Sequence, residues 1–269
     1  MVQQLVPDKL WELFLRVVPE APVGPQGGGR RRADDRGVLA AILFVATSGC
    51  TWRQLPPVFG ASWQTVHRRF AHWTEARVWA KLHRVILDEL GSTGMLDWSP
   101  CAIDSVSLRA LKGGHLTGPN PTDRGKKGSK IHLLTDRSGL PVSVGISGAN
   151  THDGQGLEPL VRGIPPIRSR RGPRRRRPAK VHGDKGYDYP HLRRWLRERS
   201  ITPRIARKGI ESSERLGRHR WVVERTVAWL NGFRRLHRRY ERLADHFLGF
   251  VGIAVALICY RRITNYDGV

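Results

Sequence analysis

CAIDSVSL, residues 101–108, is where the chain changes period. Upstream, apolar residues recur every three or four positions. Here Ile103, Val106 and Leu108 alternate in part, as in a half-buried strand. Asp104 sits inside that run. A carboxylate in an apolar strand is costly unless it has a partner or a task, so Asp104 is the first candidate functional residue.

Working downstream, KIHLLTD (130–136) and LPVSVGIS (140–147) flank Arg137-Ser138-Gly139, a hairpin signal. A helix follows in GQGLEPLVRG (154–163), then a strand in AKVHGD (179–184) and a helix in YPHLRRWLRERS (189–200). A short strand, TPRIA, and a long helix from about Ser213 complete the series. Three antiparallel strands followed by β/α alternation is the element order of an α/β, ribonuclease H-like domain: a mixed five-stranded sheet flanked by helices. In such a sheet the first strand is central and the fourth is its parallel neighbour. Asp104 and Asp184, at the end of KVHGD, should therefore sit side by side. The long C-terminal helix carries Glu224, an acid on an otherwise basic and apolar segment, and can bring it to the same place. Three converging carboxylates repel one another unless cations neutralise them.

Upstream, a small all-α region is expected. A short helix spans 7–17, a Pro/Gly-punctuated loop 19–32, and Asp34 or Asp35 caps an apolar helix that Gly49 ends. Ser62 caps one helix through SWQTVHRRFAHWTEARVW, whose apolar stripe leaves His67, Arg68 and Arg69 to one side. Two helices joined by a turn, the second basic, have the form of a helix-turn-helix that could read DNA. The boundaries expected are 1–95 for this helical unit and 96–269 for the catalytic unit.

The chain has 269 residues, with Lys+Arg 47 against Asp+Glu 23 and a net charge of +24. That balance implies a polyanionic partner bound through counterion release. In so basic a protein, two cations held by three acids suit phosphodiester cleavage. Residues 109–129 read as a glycine-rich basic loop. The run IRSRRGPRRRRP (167–178) has seven arginines, Arg174 and Arg175 among them, and reads as a solvated loop without an apolar anchor that touches phosphates. Cys50, Cys101 and Cys259 form no CxxC pair, which argues against structural zinc and for a reducing cytoplasm. The longest apolar run, Phe247 to Tyr260, is too short to span a bilayer and reads as a buried helix. No membrane partner is expected, and the location is cytoplasmic, at the nucleoid.

Several phrases resemble bacterial insertion-sequence transposases of the DDE class, in particular the insertion sequence five family. They are DDRGVLAAILFVATSGCTWRQLPPVFG with WQTVHRRFAHW, then AIDSVSLRA, GSKIHLLTDRSGLP, ANTHDG, HGDKGYD and RWVVERTVAWLNGFRRLHRRYER. The resemblance covers about residues 30–260. It implies a metal-binding triad of Asp104, Asp184 and Glu224 holding two Mg²⁺ ions, with Mn²⁺ a possible substitute. It also implies that the N-terminal domain binds terminal inverted repeats, with a homodimer on DNA. The short interval between Asp184 and Glu224 leaves no room for the large β insertion of some relatives. Arg220 and Glu224 fit the superfamily pattern around the glutamate, but Gly217 and Asn231 stand where a Tyr and a Lys are usual. Asn231 could still hydrogen-bond DNA, with Arg234 and Arg235 supplying charge one turn on. Asn150, His152 and Asp153 belong to the resembling motifs as secondary candidates, and Lys130 and Lys185 are candidate phosphate contacts. The alternatives are a related metal-dependent nuclease and an inactive DNA-binding regulator.

Overall fold

A computed structural model describes residues 1–20, 32–207, 209 and 213–266, with backbone alone at 213–221, 265 and 266. The N-terminal region contains α1 (Val2–Leu5), α2 (Asp8–Leu15), α3 (Asp35–Ser48), α4 (Trp63–Glu75) and α5 (Val78–Ser92). The Asp34 carboxylate accepts from the Gly37 amide at 2.7 Å and starts α3. Gly49 ends it at φ 73°, where a Cβ would lie 2.9 Å from the Cβ of Arg234.

Two details of this region differ from expectation. The expected first helix is α2, preceded by an additional short helix, α1, and the basic helix breaks at Arg77, whose φ is +56°. That left-handed residue redirects the chain, so Val78 begins a new helix and Trp79 belongs to α5 instead of ending α4. Most of the loop expected at 19–32 lies outside the described residues.

The sheet follows. β1 (Cys101–Arg109), β2 (Gly118–Pro119), β3 (Lys127–Thr135) and β4 (Pro141–Gly148) precede α6 (Leu157–Arg162), β5 (Lys180–Gly183), α7 (Pro190–Glu198), β6 (Thr202–Ile205), α8 (Ser213–Asn231) and α9 (Ala244–Tyr266). β1 is central, antiparallel to β3 on one side and parallel to β5 on the other. β4 pairs with β3, and β6 with β5. The sheet thus has the expected order, with a sixth strand: the two-residue β2, drawn from the glycine-rich loop onto β3.

The apolar C-terminal helix is longer than its uninterrupted apolar run. Ala244–Thr264 is long and apolar enough to cross a membrane, yet 78% of its most apolar stretch is buried inside the fold. α9 packs against α5, α4, α3 and β4. Phe250 stacks on Phe70 with centroids 4.6 Å apart, and Cys259 lies beside His83. One continuous apolar core therefore joins the N-terminal helices to the sheet.

Candidate active site

The β1/β5 pairing brings the two aspartates together. Cys101 pairs with Val181 and Ala102 with His182. Carried on two residues in parallel register, this places Asp104 level with Asp184, just beyond the end of β5. The strands approach closely there, since a Cβ on Gly183 would lie 3.0 Å from Ile103 and 3.2 Å from the Tyr187 ring. The Asp184 carboxylate accepts from the Gly186 amide at 2.8 Å, capping a single 3-10 turn that folds Tyr187 beneath the acids. Tyr187 is only 1% exposed. Burial, then the charges of Asp104, Asp153 and Asp184, raise its hydroxyl far above the usual tyrosine range. That hydroxyl faces Ser105 without closing a full hydrogen bond.

Asp153 is tied into the same edge. It accepts from the Ser105 hydroxyl at 2.6 Å and from the Lys130 ammonium at 2.7 Å, while Lys130 also donates to the Thr151 carbonyl at 2.7 Å. The Ser105 amide in turn donates to Asp104 at 2.7 Å. Burial alone would raise the Asp153 carboxyl, but the Lys130 and Ser105 hydrogen bonds outweigh it and hold the group below its usual range. His132, packed under this network, is pushed down to about 4 by burial and by Lys130. Lys130 was a candidate phosphate contact. It is 8% exposed, and its charge is turned inward onto Asp153.

His152 caps the following 3-10 turn. Its Nδ1 accepts from the Gly154 amide, and its Nε2 shares a 2.9 Å hydrogen bond with the Tyr189 hydroxyl. Asn150 is exposed and lies against Gly118 of β2. Lys185 is half-buried directly after Asp184. Ser105 and Tyr187 were missed from the sequence. Both sit next to or three residues beyond a flagged aspartate, but their role depends on which side of the edge each side chain takes.

Glu224 is exposed on α8, which packs across β1 and β3. Val227 and Leu230 of α8 line a shared groove with Val106, Leu108 and Ile131. Among the described residues, no three His, Cys, Asp or Glu side chains close tightly enough on one point to hold a metal ion. The side chain of Arg220 lies outside the described residues, and at Gly217 only the backbone is described. Asn231 is exposed at the end of α8, and its carbonyl accepts from His237 at 2.7 Å.

The flagged cations divide. Arg68 and Arg234 are exposed. Arg69 pairs with Asp35 and lies over the Trp73 ring. His67 is packed edge-on against Trp52 and His246, and burial lowers its pKa. Arg235 is held between Glu241, 2.7 Å away, and the Cys50 carbonyl. His67, Arg69 and Arg235 are therefore spent within the fold.

The arginine run is corrected in the same way. Ile167 is fully buried and pairs with Arg175 across an antiparallel bridge, so the run has an apolar anchor. Asp88 of α5 accepts from the Arg168 amide and from the Arg174 guanidinium, at 2.8 and 2.7 Å. Arg175 stays exposed.

Residues 6–83 match the family described as putative transposase of IS4/5 family, and residues 99–259 match the transposase DDE domain. The putative transposase for insertion sequence element IS402 of Burkholderia cepacia is 48% identical over 151 residues, which is 56% of this chain and 72% of that protein. A 16.2 kDa uncharacterized protein of the IS402 element, from the same organism, is 36% identical over 45% of this chain and 84% of its own length. Among solved structures, a piggyBac transposase synaptic complex with hairpin DNA aligns over 99% of this chain and 75% of that one, with a TM-score of 0.51 at 9% identity. At that identity the likeness is one of fold.

Proposed function

Since the chain belongs to the DDE transposases of insertion sequences, we propose that Asp104, Asp184 and Glu224 are its metal-binding triad. The observation that carries this reading is the parallel register levelling Asp104 with Asp184 beneath α8. The donor set fits divalent metal. Carboxylate oxygens suit Mg²⁺, which retains waters and completes its shell with phosphate oxygens. The buried Tyr187 hydroxyl lies within the combined field of Asp104, Asp153 and Asp184, so negative charge is concentrated at that edge. Two Mg²⁺ ions, or Mn²⁺ in their place, would supply activation of water and charge stabilisation for in-line displacement at phosphorus.

The chain's own residues set the conditions for that chemistry. Ser105 fixes Asp104 through its amide and Asp153 through its hydroxyl, so both acids share one anchor. Lys130 offsets the charge of Asp153 from inside. The reaction is hydrolysis at the element's ends, freeing 3′-hydroxyls, followed by attack of each hydroxyl on a target phosphodiester. The acids act as ligands throughout, and no covalent bond to the protein forms.

The partner is double-stranded DNA. We assign terminal-repeat recognition to residues 1–95, with Arg68 an exposed basic residue of α4, and expect a homodimer to pair two ends. Arg175, Lys185, Asn231 and Arg234 remain positioned for backbone contact.

The test is nicking of a terminal-repeat duplex in Mg²⁺ or Mn²⁺. Asp104→Asn, Asp184→Asn and Glu224→Gln should each cut at least roughly 10³-fold more slowly, because several kcal/mol of charge stabilisation is lost. Duplex affinity should stay within about threefold of wild type. A Glu224→Gln protein cutting at near wild-type rate removes Glu224 from the triad.

A further inference from the structure

A second charged feature lies away from the acid edge. Arg137 and Ser138 of the β3–β4 turn, Arg225 and Trp229 of α8, and Arg261 and Arg262 of α9 line one groove of about 610 Å³. Asp97 lies at its rim, 3.5 Å from Arg137, and is the acid among the groove's lining residues. Four guanidinium groups from three separate elements face one carboxylate.

The groove is rigidly built. Thr226 donates to the Gly139 carbonyl at 2.7 Å, and Arg225 donates to the Ser138 carbonyl. Gly139 has φ +82°, and a Cβ there would lie 3.0 Å from Thr226. The turn therefore seats on α8 without slack, and the groove wall is fixed before any partner arrives. The Arg225 guanidinium lies over the Trp229 ring, 5.0 Å from its centroid, and Arg261 lies over Phe233 at 5.5 Å. Arg225 thus braces the wall, while Arg261, exposed beside Arg262, keeps its planar fork presented, the geometry that grips phosphate oxygens in pairs.

Position separates this groove from the cleavage site. Asp104 is opposite Leu133 in the β1/β3 register, and Arg137 lies four residues further along. At about 3.3 Å per residue that is roughly 13 Å, or about four base pairs along a duplex axis.

We propose that this groove is a second phosphate-backbone site for duplex DNA, gripping the helix several base pairs from the phosphodiester held at the acid edge. This rests on the transposase reading and adds where the substrate's flank is held. The ligand class is the sugar–phosphate backbone, read without regard to sequence. Rigid arginine forks on a fixed wall suit a regular phosphate track.

The test uses the full chain and a random-sequence duplex, with log affinity measured against log salt. Arg261 and Arg262 are exposed, so Arg261→Ser/Arg262→Ser should fold normally. Arg261→Lys/Arg262→Lys keeps the charge while removing the forks. A control of equal charge change, Arg194→Ser/Arg197→Ser, removes two exposed cations of α7. The serine pair should lower the salt slope by about two units and weaken binding at least about tenfold. The lysine pair should fall between it and wild type. A serine pair indistinguishable from the control overturns the site, and a loss confined to single-stranded oligonucleotide overturns the duplex assignment. A wild-type chain that binds no duplex would sink the underlying reading instead.

Discussion

The acid edge and the outer face of α4 carry comparable densities of charged residues to different ends. At the edge, Asp104 and Asp184 meet because two neighbouring strands share a register, a relation set by backbone pairing. On α4, three adjacent basic residues leave the apolar stripe, and only Arg68 remains exposed. Arg69 turns to Asp35, and His67 turns to Trp52 and His246. Arg235, beyond α8, reaches back to the Cys50 carbonyl. A strand has one partner on each side and a fixed two-residue period, so an acid's direction follows from its position. A helix face is covered or left open by whatever packs on it, and here that includes α9 from the far end of the chain.

The widest gap between the two kinds of cation should appear on removing one of each. Arg235 and Glu241 are 7% and 6% exposed at their side chains, so Arg235→Ala strands a buried carboxylate. It should cost about 3–5 kcal/mol, a large part of the roughly 5–15 kcal/mol that holds a domain together. Arg68→Ala should change stability by less than about 0.5 kcal/mol while weakening terminal-repeat binding. Urea denaturation of both proteins is the measurement. Equal losses would erase the distinction between spent and free arginines.

A second contrast is in pH dependence. Asp136, at the end of β3, is raised to about 6 by burial, even though amides of Asp97, Leu140 and Ser138 donate to it. The folded state therefore holds that proton more tightly than the unfolded one. Its contribution to stability is present below about pH 4 and is lost as pH rises through about 6, some 3 kcal/mol in all. His83, bonded to the Pro141 carbonyl at 2.8 Å, is pushed down to about 4 by burial. Its contribution is present above about pH 6.5 and is lost as pH falls towards 4, and His132 adds the same sign. The slopes oppose each other between pH 4 and 6. Asp136→Asn should leave the histidines unopposed, making stability climb more steeply with pH across that window. A variant curve parallel to wild type would show that Asp136 does not titrate there.

A third test separates backbone strain from packing. Gly139 and Gly60 both have positive φ, +82° and +71°. A Cβ at Gly60 would meet nothing within 4 Å, while one at Gly139 would press on Thr226 and the Val222 carbonyl. Gly60→Ala should cost about 1–2 kcal/mol for its conformation alone, and Gly139→Ala more. Equal costs would mean that α8 yields to the turn and the groove wall is not rigid.

What could be read in advance follows the same division. The strand order, the hairpin at Arg137-Ser138-Gly139 and the pairing of Asp104 with Asp184 all rest on local periodicity and a known sheet order. Gly49 and Ser62 were legible, and Asp34 as one of two choices with Asp35, because caps act within three or four residues. Arg77 gave no signal, since a left-handed arginine is set by tertiary packing and not by propensity. The anchor of the arginine run was hidden for a related reason. Ile167 looks isolated in sequence but is buried in the core, with Asp88 of α5 holding the next residue's amide beside it. Lys130 was misread because its partner, Asp153, lies on a different element.

The smallest expected effect concerns the two caps that were legible. Asp34 accepts from the Gly37 amide at 2.7 Å, and its carboxylate sits at the positive end of α3. Ser62 accepts from the Thr65 amide at 3.4 Å, near the outer limit for a hydrogen bond, and also shares its hydroxyl with Thr65. Asp34→Ala should cost about 1 kcal/mol and Ser62→Ala about half that. Thermal denaturation of the two single variants and the double one decides the point. The caps belong to neighbouring helices and share no partner, so the double variant should equal the sum of the two. A Ser62→Ala loss as large as that of Asp34→Ala would mean that hydrogen-bond length is a poor guide to cap strength here, and that α4 depends on its first turn more than its packing suggests.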